Sequence, residues 1–439
     1  QVDKPVQFAL VPFSASVNVG PEYATASWMD VDGRSPIHHE NFDWTTMPSG
    51  KKVEASGGVY YKNGSGWGSE NGDKVTRFTL FDQLRRITGY NRVQTGTSPK
   101  QTCTGYGKNK TCTTTYEPVY EDVPVYAPVA SWGGCVETRP HPYAYSDAAP
   151  VSGTPATLFV PMFAPDESDR IGSQKANWWP DVLGGTDNLK RQEHMPKYFE
   201  APTPGNGANA SGADKGPNIG CATTPITPLT DVSKPAGLKT IKEAIEARAP
   251  VGTTDVPEGT AWGWRVISGG EPFTQGRPDS EKGNDKVVIV LTDGENTYFT
   301  PGYSDGAGNK SLYANKGYTG KLYDGGTKTR MFLGTTVNAS THTQENYTSA
   351  MNQHMDTVCE NAKNAGVIVM TVALDLNATK KNEKAAIEAL TRCASDSRFR
   401  KDASDASKPA KLFWNANGSN LADKFKEIAD ELSNLRIVG

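Results

Sequence analysis

Lys286 to Thr297 reads KVVIVLTDGENT. Val287 to Leu291 is a continuous apolar run and not an alternating one, the pattern of a strand covered on both faces in a parallel sheet. Thr292, Asp293 and Gly294 follow at its carboxyl end, where an open α/β sheet presents loops, backbone groups and carboxylates to ligands. Phe8 to Phe13 and Val367 to Leu374 read the same way, with a weaker fourth run at Leu412 to Trp414. Amphipathic helical patterns lie at Leu238 to Ala247, near Thr260 to Ile267, and at Ser349 to Asn364, Asn382 to Cys393 and Leu421 to Leu435. In the last of these, Leu421, Phe425, Ile428, Leu432 and Leu435 form one apolar stripe. Alternating strands and helices predict an α/β fold with a doubly wound, mostly parallel sheet.

Two regions break that rhythm. Residues 21–220 are rich in Gly, Pro, Tyr, Trp and Asn and carry three of the six cysteines. A structureless loop of that length is improbable, so the region is expected to be an inserted subdomain of short strands and turns stapled by disulfides. Residues 296–346 read as a lesser insertion, leaving 1–20 and 221–439 as a discontinuous core. The cysteines are Cys103, Cys112, Cys135, Cys221, Cys359 and Cys393. None forms a CxxC pair, which argues against a zinc or thioredoxin-type centre. An even number at wide spacing suits three disulfides in an oxidising, extracytoplasmic compartment. The short Cys103–Cys112 loop reads as a hairpin staple, leaving Cys135 for Cys221 and Cys359 for Cys393; six buried free thiols are the alternative.

With 46 basic and 49 acidic residues, the chain has no basic block suited to nucleic acid or a membrane surface. Its longest apolar runs are strand-length, far short of the roughly 20 residues of a membrane helix. Gln1 to Lys4 lack the features of a signal peptide, so any export signal or anchor is expected upstream.

A second loop, Gly252-Thr253-Thr254-Asp255, sits in a turn between two helical patterns and precedes Glu258 and Gly259. A hydroxyl and a carboxylate from two such loops are oxygen ligands of the kind a hard divalent cation takes. Together with FALVPFSASVNVG (Phe8 to Gly20), WMDVDGRSPIHHENF (Trp28 to Phe42), LFVPMFAPDE (Leu158 to Glu167), CATTPITPLT (Cys221 to Thr230) and EGTAWGWRVIS (Glu258 to Ser268), these stretches resemble the TadG-like proteins of tight-adherence (Flp) pilus assembly, with their von Willebrand factor type A domain. The resemblance implies a metal-ion-dependent adhesion site in which Thr254 and Asp293 ligate Mg or Ca. The family's opening Asp-x-Ser-x-Ser motif is absent before Phe8, so the remaining ligands are expected upstream of Gln1. In the family's strand order, 3-2-1-4-5-6, the missing strand lies between the strands carrying Phe8 to Phe13 and Val287 to Leu291. Buried unpaired backbone groups cost roughly 1 to 3 kcal/mol each, so the upstream peptide, or another segment, is expected to fill that place.

Weaker candidates read as structural. Asp30, Asp32 and Gly33 lack the later ligands of a calcium loop, and the Asp166, Glu167, Asp169 cluster reads equally as a solvated turn. His38, His39 and Glu40 are not in H-E-x-x-H order. Trp262 and Trp264, two apart on a helix, must face different ways, one to the sheet and one beneath an insertion. No nucleophile elbow or phosphate-binding glycine loop occurs, so catalysis has no visible constellation. The expected function is non-enzymatic: an envelope or secreted protein binding a pilus or envelope partner. A structural filament or tip component with a vestigial site, and a metal-dependent hydrolase, are the alternatives.

Overall fold

The computed structural model describes residues 5–166, 193–200, 216–281, 283–301, 308–320 and 328–438. The strands, in chain order, are β1 (Gln7–Leu10), β2 (Val17–Asn18), β3 (Lys52–Ser56), β4 (Val59–Asn63), β5 (Arg85–Thr104), β6 (Thr111–Pro128), β7 (Cys135–Val136), β8 (Thr227–Asp231), β9 (Val287–Thr292), β10 (Ile368–Leu374), β11 (Asp396–Lys401), β12 (Pro409–Lys411) and β13 (Phe413–Ala416). The α-helices are α1 (Arg77–Gln83), α2 (Pro235–Glu246), α3 (Val256–Ile267), α4 (Gln344–Asn364), α5 (Lys381–Cys393) and α6 (Leu421–Val438).

The fold is mixed α/β, and among the described strands those that pair in parallel form one sheet, ordered β13-β10-β9. Its two faces are covered as the apolar runs require. Val288, Val290 and Val369 pack with Trp264 of α3, Val358 and Ala362 of α4 and Leu390 of α5. Ile368, Met370 and Val372 pack with Ile428 and Leu435 of α6. The other described strands pair antiparallel, as β1-β8, β2-β7, β3-β4, β5-β6 and β11-β12, so the expected single, mostly parallel sheet is replaced by several small ones. In particular, the run Phe8 to Phe13 is not a buried parallel strand. Its ordered part is four residues long, antiparallel to β8, with Phe8 42% exposed. A register shift between Phe8 and Leu10 disturbs the ladder, and Pro12 has no N–H to continue it.

All three expected disulfides form: Cys103–Cys112 near the tip of the β5–β6 hairpin, Cys135–Cys221, and Cys359–Cys393 joining α4 to α5. Trp264 faces the sheet, while Trp262 lies beneath the region 21–220, with its ring centroid 4.7 Å from that of Phe159. Trp262 and Val266 belong to the same core as Val17, Trp28, Phe42, Phe81 and Phe163. Packing therefore runs without a break from α3 into residues of the region 21–220.

Buried charges reinforce this junction. Glu137 accepts hydrogen bonds from Arg77, Arg330 and Tyr313, and Arg330 also pairs with Glu40 at 2.5 Å. Burial opposes ionisation of Glu137, but Arg77 and Arg330 outweigh it and hold the carboxyl below its ordinary range. Glu40 is pushed up to about 7, chiefly by burial. The β5–β6 hairpin is different in kind, since nearly all of its side chains meet solvent on both faces. A two-stranded ribbon has little stability of its own, and the Cys103–Cys112 bond closes this one near its far end.

His354 on α4 is fully buried between the two irregular regions. Its Nε2–H donates to the Leu333 carbonyl at 3.0 Å, which leaves Nδ1 to accept from the Tyr145 hydroxyl at 2.9 Å. Burial lowers its pKa to about 3. An unfolded histidine takes up its proton below about 6.5, so the stabilisation is complete above that pH and is lost as the pH falls toward 3. Glu40 contributes the opposite slope from 4.5 to about 7, because its folded pKa is raised. Comparing wild type with His354→Gln cancels Glu40. Between pH 6.5 and 4.5 the wild-type urea-unfolding free energy should fall by about 1 to 3 kcal/mol more than that of the variant.

Candidate functional site

Three stretches of chain meet at the carboxyl end of β9: the end of the first segment at Ser14, the loop Gly252 to Asp255 before α3, and the loop Asp293 to Tyr298 after β9. Backbone groups stitch them together. Asp255 N–H donates to the Ser14 carbonyl at 3.0 Å, and Thr297 N–H donates to the Thr254 carbonyl at 2.9 Å. Thr254 N–H in turn donates to the Thr297 hydroxyl at 2.8 Å, and Val256 N–H to the Asn296 side-chain oxygen at 2.9 Å. The chain turns into α3 here because Asp255 caps the helix, accepting from the Glu258 N–H at 3.2 Å, and Pro257 occupies its first turn.

Thr254 and Asp293 thus come to one end of the same cleft. The cleft has a volume of about 1350 Å³ and runs between β1 and β9, floored by Gly259, Thr260, Gly263 and Ile267 of α3. Asp293 is exposed and Thr254 half-buried. Ser14, 5% exposed, also lines the cleft, and its hydroxyl has no hydrogen-bond partner. Sequence reasoning gave Ser14 no role. The available signal was a small hydroxyl residue immediately after an apolar run, at the edge where ligands gather.

The neighbouring Asp255 is committed elsewhere: its carboxylate accepts from Asn315 at 2.9 Å and ion-pairs with the fully buried Lys316. Among the described residues, no three His, Cys, Asp or Glu side chains gather as a metal-binding group. Ser14, Thr254 and Asp293 offer hydroxyls and one carboxylate at the cleft end, the right chemistry for a hard cation but with a single charge.

The weaker candidates are structural, and two of them are more buried than their sequence suggests. Asp30 is fully buried, where it accepts from the N–H groups of Arg34 and Ser35, each at 2.8 Å, and from His38 Nδ1 at 2.7 Å. His38 Nε2 accepts from the Arg77 N–H, which fixes Nδ1 as the protonated nitrogen. Burial opposes ionisation of Asp30, but His38 and the two backbone donors hold its carboxyl below the usual range. Asp32 remains at the surface with Lys74 and Arg34. Asp166 is no solvated turn either, being buried against Lys197; Glu167 and Asp169 lie outside the described residues. The ring of His39 packs against Tyr60 at a tilt, with centroids 3.9 Å apart. Glu40 is paired with Arg330.

No family model, no curated protein and no solved structure matches the chain.

An unsatisfied buried hydroxyl costs about 1 to 3 kcal/mol. Ser14→Ala should therefore leave stability unchanged or raise it by about 1 kcal/mol in divalent-free buffer, as measured by urea unfolding. A loss of more than about 1 kcal/mol would show that the hydroxyl has a structural partner.

Proposed function

We propose that this chain is a non-enzymatic, extracytoplasmic protein of pilus assembly or adhesion, built on a von Willebrand type A fold of the TadG-like kind. It would bind a protein partner at the end of the cleft marked by Thr254 and Asp293. The observation that carries this reading is the convergence of those two residues, 39 apart in sequence, beside the unpartnered hydroxyl of Ser14. Strand order is compatible with it: β8-β1 lines one side of the cleft and β9-β10-β13 the other, where the family's order has one further strand. Three disulfides suit an oxidising compartment. No helix among the described residues is long and apolar enough to cross a membrane.

Thr254, Asp293 and Ser14 are the residues that would hold Mg or Ca, and the ion would offer a coordination position to an acidic side chain of the partner. The protein's own contribution is to hold the two loops rigid through the Thr254–Thr297 and Val256–Asn296 hydrogen bonds.

Calorimetric titration of the chain with Mg²⁺ and Ca²⁺ tests this. Wild type should bind one ion, and Asp293→Ala should weaken binding by roughly tenfold or more. Because Asp293 is exposed, the variant should keep its thermal midpoint. A flat wild-type titration, or equal affinity in the variant, would remove the metal-dependent reading and favour a structural component.

A further inference from the structure

We infer that the β5–β6 hairpin is a dimerisation arm, whose tyrosine-bearing face packs against the same face of a second copy of this chain. This goes beyond the metal reading and does not depend on it, because the arm and the cleft share no residue.

The first observation is the exposure of the arm. Its base is tied to the core at Leu84 and Val129, and from there the paired strands run for some 60 Å at about 3.4 Å per residue. A two-stranded ribbon has little stability of its own. Yet this one holds Tyr90, Tyr116, Tyr120 and Tyr126 at 44 to 68% exposed.

The second observation is which side chains share a face. Residues opposite each other in an antiparallel pair point the same way. Tyr116 stands opposite Pro99, Asp122 opposite Arg92, Pro124 opposite Tyr90 and Tyr126 opposite Ile87. Alternation along β6 puts these on one face together with Tyr120. The Arg92 guanidinium lies there too, 4.7 Å from the centroid of the Tyr120 ring. Val93, Val119, Val123, Glu117 and Glu121 take the other face.

The third observation is symmetry. Tyr116 to Tyr126 reads YEPVYEDVPVY, close to a palindrome about Glu121, in which Tyr116 answers Tyr126, Pro118 answers Pro124 and Val119 answers Val123. A two-fold contact brings residue i to residue j of the copy, and j to i. With two arms laid face to face and antiparallel about Glu121, Tyr116 meets Tyr126 of the second copy and Pro118 meets Pro124. At the centre Tyr120 meets Asp122, whose carboxylate can accept from the phenol. The charges of this face, Arg92 and Asp122, already stand opposite each other within each arm, so the face is neutral. On the other face the same axis would set Glu121 against Glu121 of the copy, and like charges directly opposite are destabilising. Symmetry and charge together select the tyrosine face.

The edges of the ribbon are poorly suited to association. Pro118 and Pro124 cannot donate from β6, and the register shifts at Ile87/Gly89 and Gln94/Gly96 break the line of β5. The faces are better endowed: the four tyrosines alone offer roughly 400 Å² at their observed exposure. With its prolines and the Arg92–Asp122 pair, the face is on the order of 800 Å² per copy, the area of a specific, stable interface.

Sedimentation equilibrium of the full chain, in buffer with chelator, tests the proposal. Tyr120→Asp opposes carboxylates at both central contacts, and combining it with Asp122→Tyr restores those contacts with the two residues transposed. Wild type should be a dimer at tens of micromolar. Tyr120→Asp should weaken the dimer at least tenfold, and the transposed variant should recover to within about threefold of wild type, all with one circular dichroism spectrum. Register has its own readout. With a short bismaleimide linker, Tyr116→Cys mixed with Tyr126→Cys should cross-link at least tenfold more than either variant alone. A wild type still monomeric at half-millimolar concentration would overturn the proposal and leave the face to a different partner. A dimer that Tyr120→Asp leaves intact, a transposed variant no tighter than Tyr120→Asp, or equal cross-linking in the mixture and the single variants would overturn it as well. Because the chelator removes divalent ions, and Asp293→Ala should dimerise like wild type, failure of the metal reading would leave this result standing.

Discussion

A buried carboxylate holds three distant stretches of chain in one place. Asp255 caps α3, accepts from Asn315 and pairs with Lys316, while its own N–H donates to the Ser14 carbonyl. With Asp255 1% exposed and the Lys316 side chain fully buried, neither charge can be left alone without a large desolvation cost. The residue before it, Thr254, is thereby set against the loop that follows β9. The direction of α3 follows from the same cap, and with it the close approach of Gly259 to Phe13 and of Gly263 to Val288. One helix consequently supports both banks of the cleft.

The irregular regions are bound to this centre by the same kind of contact. Glu258 on α3 accepts from the Thr138 hydroxyl, and Arg265 donates to the carbonyls of Ala144 and Ser146. Arg330 reaches the Thr138 carbonyl as well as Glu40 and Glu137. Such groups are costly to bury, and they specify geometry because each has few acceptable partners. Apolar packing around Trp262 supplies the attraction between the regions, and the ionic contacts fix their orientation. The site is accordingly carried on a rigid base although most of the surrounding chain is loop.

Legibility in the sequence followed burial. Val287–Thr292 and Ile368–Leu374 are covered on both faces, so their apolar runs announced them, and the stripe of α6 did the same for a helix with one covered face. The β5–β6 hairpin, twenty and eighteen residues long, was read as short fragments because both of its faces meet water and no apolar–polar alternation marks a strand. β1 was read as buried because its residues are apolar, but what decides its exposure is a neighbour on the cleft side, and that is not a local property. Asp30 and Asp166 look like surface carboxylates until the partners that bury them, His38 eight residues away and Lys197 thirty-one away, are brought near by the fold. Thr254 and Asp293 were singled out by the loops they lie in and by the resemblance, and both line one end of the cleft. Ser14 was not, since an orphaned hydroxyl is defined by what fails to approach it.

The contrast between two exposed edges bears on what the molecule is built to meet. Proline cannot donate into a ladder, so Pro118 and Pro124 on β6, opposite Thr97 and Tyr90, must turn their nitrogens to the outer edge. That edge therefore lacks donors at intervals and resists the addition of another strand. The free edge of β9 carries no such guard: Val287 to Thr292 contains neither proline nor charge. An unguarded apolar edge on an open surface invites aggregation, but this one is recessed between β1, α3 and α6.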